Sequence, residues 1–274
     1  MIPAAFDYVR ADSADAALAA LAEHGDEAKL LAGGHSLIPL MKFRLAAPAV
    51  VVDIGRLQDL SYINDAGDHL AIGALTRFTD IETSDLVKSQ TPLLAACASN
   101  VGDPQVRHRG TIGGSTAHAD AASDTPSALL ALRATLVAKG PDGEREIAID
   151  DFFTGFLENS LSDTEMLTEI RVPKVPDAGW SFQKFNRRAQ DWAIVGASIL
   201  VNNGSTGIGL VNMGGTPVRA AAAEAAISSG GSAADAGALA ADGTSPTADL
   251  NASVEYRQHL ARVLTTRGLA EAGA

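Results

Sequence analysis

Two glycine pairs offer the clearest chemistry in the chain: Gly33-Gly34 in KLLAGGHSLIPL (29–40) and Gly113-Gly114 in RGTIGGSTAHAD (109–120). Each follows an apolar residue and precedes hydroxyl or imidazole side chains. Glycine has no Cβ, so its backbone N–H can lie directly against a ligand. Several N–H groups turned inward form a nest for phosphate oxygens, and the hydroxyls of Ser36, Ser115 and Thr116 add donors. Neither pair fits the G-x-G-x-x-G fingerprint or the pattern ending in GK[ST]. Taken singly, each pair is better read as a plain structural turn, the commonest use of glycine. Taken together, they read as two jaws on one anionic ligand.

Other residues carry weaker signals. His118, Asp120 and Asp124 form an H-x-D-x-x-x-D cluster, which suits a metal ion in principle but better suits a polar ligand chain or a partner subunit. Arg107 and Arg109 flank His108; the pair can hold a phosphate or a partner carboxylate, or stand solvated. His35 either lines the first loop or satisfies nearby backbone. Lys184 lies in an alternating strand, where it is equally a plain surface lysine or a site residue. Trp192 is by type a core or interface anchor. Cys97 sits on an apolar helix face as a small buried side chain.

The elements that must position these residues follow from periodicity and punctuation. Ser13 caps a helix whose apolar face is Ala17, Leu18 and Leu21 and which Gly25 ends. Residues 29–32 and 49–54 (AVVVDI) read as buried strands, the second suited to a parallel sheet. HLAIGAL, TLVAKGPDGEREIAI and EMLTEIRVP read as a strand, a hairpin and a strand. Thr91-Pro92 and Thr125-Pro126 mark two helix starts. VPDAG (175–179) is a linker; WSFQKFN, AIVGASILV and GIGLVNM are three antiparallel strands. Residues 219–242 are alanine-rich and helical, and a last helix spans 252–267. The division is 1–55, 56–177 and 178–274.

Composition narrows the class. The 274 residues carry a formal net charge of −12, with 46 % hydrophobic and 5 % aromatic residues. An acidic surface argues against nucleic acid or an anionic membrane as partner. A phosphate held here must be held by amide dipoles rather than by a basic cluster. The lone cysteine excludes an internal disulfide and any thiolate-ligated cluster built by this chain alone. The N-terminus lacks a signal-peptide pattern, and no apolar run reaches the roughly 20 residues of a membrane span. A soluble cytoplasmic protein is the expectation.

The two loops, in this order and setting, resemble the FAD-binding medium subunits of the molybdenum hydroxylases, the xanthine dehydrogenase and aerobic carbon monoxide dehydrogenase family. AGGHSL (32–37) and GTIGGSTAHAD (110–120), followed by Asp124, carry the resemblance. FDY (6–8), LIPLMKFRLA (37–46), VGDPQVRHRGTIGG (101–114), NRRAQDWAIVG (186–196) and EYRQHLARVLTTRGL extend it over nearly the whole chain. It is strongest to the carbon monoxide dehydrogenase medium subunit.

The resemblance implies an α+β / α/β fold: a two-subdomain FAD-binding fold of the PCMH type, then a C-terminal α+β domain with a three-stranded antiparallel sheet and helices. FAD would lie between the first two units with its pyrophosphate on both loops. The implied contacts are Lys29, Leu30, Leu31, Ala32, Gly33, Gly34, His35, Ser36 and Leu37 in the first unit, and Thr111, Ile112, Gly113, Gly114 and Ser115 in the second. Asp124 matches an aspartate that holds the flavin's sugar-alcohol chain, and His118 adds a polar contact. Val101, Leu167 and Lys184 match flavin-contacting positions. Trp192 stands where a tyrosine commonly shields the ring. Valine at Gly33 or Gly113 is expected to abolish FAD uptake and leave most of the fold.

The implied partners are a molybdopterin-containing large subunit and a [2Fe–2S] small subunit, in a heterotrimer or a dimer of heterotrimers, at the inner face of the membrane if the complex docks there. No residue of this chain is expected to act on the primary substrate, and no metal site is expected. Carbon monoxide with a quinone acceptor is the leading pair. An N-heterocycle, purine or aldehyde substrate, NAD as acceptor, a stand-alone flavin oxidoreductase and a non-catalytic scaffold are the alternatives.

Overall fold

The computed structural model describes residues 1–274. Strands β1 (Asp7–Arg10), β2 (Ala28–Leu31) and β3 (Val50–Asp53) form an all-parallel sheet in the order β1-β3-β2. Val50, Val51 and Val52 are all buried, as a β-branched run covered on both faces must be. The helix Ala14–His24 covers one face; the Ser13 hydroxyl accepts from the Ala16 amide at 3.0 Å, and Gly25, at φ 53°, ends it. Its core also takes in Leu75 and Met166 from the next unit, so the first two units share one apolar seam.

The second sheet holds β4 (Ile63–Asp65), β5 (His69–Gly73), β6 (Thr135–Gly140), β7 (Gly143–Ala148) and β10 (Met166–Pro173), in the antiparallel order β4-β5-β10-β6-β7. A short pair, β8 (Phe153–Gly155) and β9 (Glu158–Asn159), stands beside it. The exposed edge strand β7 reads GEREIA, and its charges discourage pairing with another chain.

Helices Pro92–Ser99, Ile112–His118 and Asp124–Ala131 pack near this sheet. Two helix starts differ from expectation. Thr91 holds the cap position, but its hydroxyl donates back to the Val87 carbonyl at 3.4 Å, leaving Pro92 alone as the start signal. The next helix begins at Asp124, so Pro126 is its third residue, and the Thr125 hydroxyl turns to Ser115 Oγ at 3.2 Å.

The third sheet has four strands rather than three: β11 (Gly179–Phe185), β12 (Val195–Asn202), β13 (Ser205–Val211) and β14 (Val218–Arg219). β14 has 2 residues, too few to show alternation. The alanine-rich run is two helices, Ala221–Ser228 and Ala233–Ala238, because Gly230 at φ 84° cannot continue the first. The last helix, Val254–Glu271, starts at a Ser253 cap and outruns the expected end.

This sheet seats on the helix Asp124–Ala131. A Cβ on Gly207 or Gly209 would lie 2.0 Å from the carbonyl oxygen of Ala131 or Ser127. Ser127 and Ser198 also share a buried hydrogen bond of 2.7 Å.

Candidate functional site: a cleft between two glycine pairs

β2 ends at Leu31, and the chain turns through Gly33-Gly34 into a short helix, Leu37–Lys42. Gly34 has φ 79°, a conformation that suits glycine, and a Cβ there would also strike Ile38. The backbone N–H groups of Gly33, Gly34, His35, Ser36 and Leu37 donate to no atom of the chain. Five successive amides without a partner, on a turn that lines a cleft, form the nest that the sequence suggested for this pair.

The second pair is built differently. It is no loop: Gly113 and Gly114 lie in the first turn of the helix Ile112–His118, capped by Thr111. The Ile112 amide donates to Thr76 O at 3.0 Å and the Gly113 amide to Ala74 O at 2.9 Å. The Gly114 amide donates to Thr111 Oγ1 at 3.1 Å. These donors are spent, so no amide nest forms here.

Gly113 is glycine because a Cβ would lie 2.5 Å from that of Ala74. Gly114 is the residue of the pair that faces across to the first jaw: its Cβ would sit 3.8 Å from that of Ala32. The Thr116 hydroxyl is also spent, on Ile112 O at 2.9 Å inside the helix.

The two jaws touch. A Cβ on Gly33 would lie 2.1 Å from Arg109 O. The cleft between them has a volume of about 570 Å³, within the range of cofactor sites. All the residues named from the sequence as contacts line it except Leu31 and Ile112. Ile112 is fully buried in the core of the middle unit, and Leu31 packs toward Gly34 rather than into the opening. The cleft also takes in residues that sequence reasoning missed: Phe78, Gly110, and residues 161–163 and 165 of the turn before β10. Gly110 lay inside the quoted motif. The others carry no local signal, since only the tertiary fold brings them to the opening.

At one end, Asp124 and Lys184 meet. Asp124 Oδ2 accepts from Lys184 Nζ at 2.6 Å, with side chains 7 % and 6 % exposed. Lys184 also donates to Asn100 O at 2.9 Å. Lys184 is thus no surface lysine; its strand feeds it under the middle unit. Asp124 Oδ1 is buried and has no hydrogen-bond partner. Burial pushes the Asp124 carboxyl up to about 6, against the pull of the adjacent ammonium. Burial likewise lowers His118, more than nearby Asp120 raises it. Asp120 turns back to cap the Ala122 amide at 2.9 Å, so His118, Asp120 and Asp124 do not converge on a metal position. Trp192 stands at the mouth and is 60 % exposed. Arg107 is engaged with Glu82 at 2.6 Å rather than with any ligand.

These features fit a long, polar, pyrophosphate-bearing cofactor: an amide nest at the jaws, an orphaned carboxylate oxygen further along, and an opening that takes both. Comparison with known proteins agrees. The family model described as the FAD binding domain in molybdopterin dehydrogenase matches residues 4–175. The model for the CO dehydrogenase flavoprotein C-terminal domain matches residues 180–272. The 6-hydroxypseudooxynicotine dehydrogenase complex subunit alpha of Paenarthrobacter nicotinovorans is 40 % identical over 99 % of this chain and 96 % of its own. The carbon monoxide dehydrogenase medium chain of Hydrogenophaga pseudoflava is 37 % identical over 100 % and 99 %.

A solved carbon monoxide dehydrogenase from that organism matches at a TM-score of 0.94, with 39 % identity over 99 % of this chain and 98 % of the other. Quinoline 2-oxidoreductase from Pseudomonas putida 86 matches at 0.91, with 31 % identity over 99 % and 98 %.

The chain belongs to the FAD-binding medium subunits of the molybdenum hydroxylases, of the carbon monoxide dehydrogenase type. FAD is its cofactor, and it serves as one subunit of an oxidoreductase complex. No helix is long and apolar enough to cross a membrane.

Proposed function

We propose that this chain takes electrons from [2Fe–2S] clusters of a small partner subunit and passes them through FAD to a quinone, while a large molybdopterin-containing subunit oxidises the substrate. The observation that carries the reading is the cleft that joins the free amides of residues 33–37 to the orphaned Asp124 Oδ1. The flavin, when bound, supplies both one- and two-electron chemistry.

The chain's own residues bind and orient. The amides of Gly33 to Leu37 hold the pyrophosphate, and Gly114 leaves it room. Asp124 accepts from a hydroxyl of the sugar-alcohol chain, and Lys184 keeps that carboxyl charged and aimed. Val101 and Leu167 pack on the ring, and Trp192 restricts access to it. The units 1–55 and 56–177 act as the two jaws, and 178–274 buttresses the second.

Cys97, the only thiol, is buried and cannot hold a cluster, which supports a separate iron–sulfur chain. The assembly proposed is a heterotrimer or its dimer, in the cytoplasm. Carbon monoxide is the substrate proposed for the complex, supported by the full-length likeness to carbon monoxide dehydrogenase. The 40 % identity to a subunit of a nicotine-derivative dehydrogenase favours an N-heterocycle as the second reading.

The test is purification of the native complex with its partners. A yellow complex that releases FAD on denaturation, contains molybdenum and iron, and bleaches anaerobically under carbon monoxide is expected. Bleaching only by an N-heterocycle moves the substrate to the second reading. A colourless protein that takes up no added FAD leaves the scaffold reading.

A further inference from the structure

One cation lies behind the jaws rather than in them. Arg77 follows β5 in the middle unit, and its backbone stands opposite Thr111, the cap of the second glycine helix. That short bridge is flanked by two hydrogen bonds, Phe78 N to Gly110 O at 3.2 Å and Ile112 N to Thr76 O at 3.0 Å. From there the half-buried guanidinium reaches two carbonyls in opposite jaws. One is Arg109 O, in the turn that leads into the second glycine pair. The other, at 3.4 Å, is Gly55 O in the first unit.

Both carbonyls touch the first jaw. Arg109 O is the atom on which Gly33 rests, at 2.1 Å from where a Cβ would be. Gly55 lies against Ala32, whose carbonyl oxygen would be 3.0 Å from a Gly55 Cβ. A closed ring of contacts results: Ala32-Gly33, Arg109, Arg77, Gly55 and back to Ala32. The only side chain in that ring is Arg77. It also solves an electrostatic problem. The negative end of the Arg109 carbonyl dipole points at the floor of an anion site, and a guanidinium bonded to that oxygen offsets it.

Arg77 makes no ion pair of its own and does not line the cleft. Burial and the nearby like charge of Arg109 lower its pKa, so holding a cation here has a cost.

We infer that Arg77 is a positioning residue for the pyrophosphate jaws: it sets the gap between Gly33 and the Arg109-Gly110 backbone and so tunes affinity for FAD without touching it. This rests on the FAD reading of the cleft. Arginine suits the task because its planar fork reaches two separated carbonyls from two different nitrogens, whereas a lysine must bring both within reach of one ammonium.

The experiment titrates FAD, and separately ADP, into the cofactor-stripped full chain by fluorescence and competition, for wild type, Arg77→Lys and Arg77→Ala. Thermal unfolding of each stripped chain runs alongside. The expected result is a Kd for FAD raised about tenfold or more in Arg77→Ala and several-fold in Arg77→Lys, about 1.4 kcal/mol per tenfold. ADP, which keeps the pyrophosphate, weakens in parallel with FAD. The unfolding midpoint of Arg77→Lys stays within a few degrees of wild type. Should Arg77→Ala not fold, Arg77→Lys decides alone.

Unchanged FAD affinity in a folded variant overturns the inference, and so does an FAD loss that ADP does not share. Failure of the wild-type chain to bind FAD at all would instead sink the FAD reading of the cleft.

Discussion

At the scale of residues, the most consequential pair is Asp124 and Lys184. A carboxylate and an ammonium, both more than nine-tenths buried, neutralise each other across 2.6 Å. Removing one partner leaves the other charged in a poorly solvated place, which is the expensive case. The pH sign follows from the shift. In the unfolded chain Asp124 titrates near its ordinary 3.8, whereas burial raises it to about 6 in the fold. The protonated form therefore favours folding. That contribution is complete below about pH 4 and is lost as pH rises through the folded value of about 6.

Lys184→Met removes the counter-charge, so the folded-state shift grows and its pH dependence steepens. Urea unfolding of the stripped variant should show a deficit of about 3 kcal/mol at pH 8 that shrinks markedly at pH 5. Equal deficits at the two pH values would mean that Asp124 is not the group responsible. Asp124→Ala should weaken FAD binding by about tenfold, the worth of one charged hydrogen bond.

At the scale of elements, two glycine pairs that look alike in sequence do different work. The first is a turn with unspent amides. The second begins a helix whose first amides are satisfied by Thr76, Ala74 and Thr111. The substitutions therefore separate. Gly113→Ala drives a methyl into Ala74 and should cost about 1–3 kcal/mol of stability in the absence of FAD. Gly114→Ala crowds the capping Thr111 hydroxyl at 2.7 Å, which should cost about 1 kcal/mol, and it faces the cleft. It should lower the melting temperature only modestly and raise the FAD Kd. Calorimetry of the stripped chain and flavin fluorescence read the two effects independently. Valine disturbs the packing at both Gly33 and Gly113, against expectation: a Cβ would lie 2.1 Å from Arg109 O at the first and 2.5 Å from the Ala74 Cβ at the second, and nothing local announces either neighbour.

At the scale of the whole molecule, the C-terminal sheet governs the cofactor end of the cleft from behind. Gly207 and Gly209 let β13 lie flush on the helix Asp124–Ala131, and β11 brings Lys184 to the first residue of that helix. Gly209→Val would push against the Ser127 carbonyl and displace the helix with Asp124 on it. Both the thermal midpoint and FAD retention should fall, although Gly209 lines no part of the cleft. Normal FAD retention in a folded Gly209→Val chain would show that the third unit does not set the position of Asp124.

The chain's local signals determined much of this. Ser13, Gly25, the valine run 50–52 and the hairpin around Pro141-Asp142 report their own conformations, because capping, positive φ and β-branched burial act over a few residues. The cofactor class was legible through motif resemblance, since AGGHSL and GTIGGSTAHAD are contiguous. What only tertiary structure decided depends on distant pairings. Leu31 adjoins the first motif and Ile112 sits within the second, yet both turn away from the cleft, because strand pleat and helix face, not adjacency, aim a side chain. Lys184 has a surface-like setting in sequence and a buried one in space, since its partner lies 60 positions away. Whether an amide is free to bind a phosphate was likewise settled by which carbonyl the fold lays against it. Gly33 meets none, and Gly113 meets Ala74.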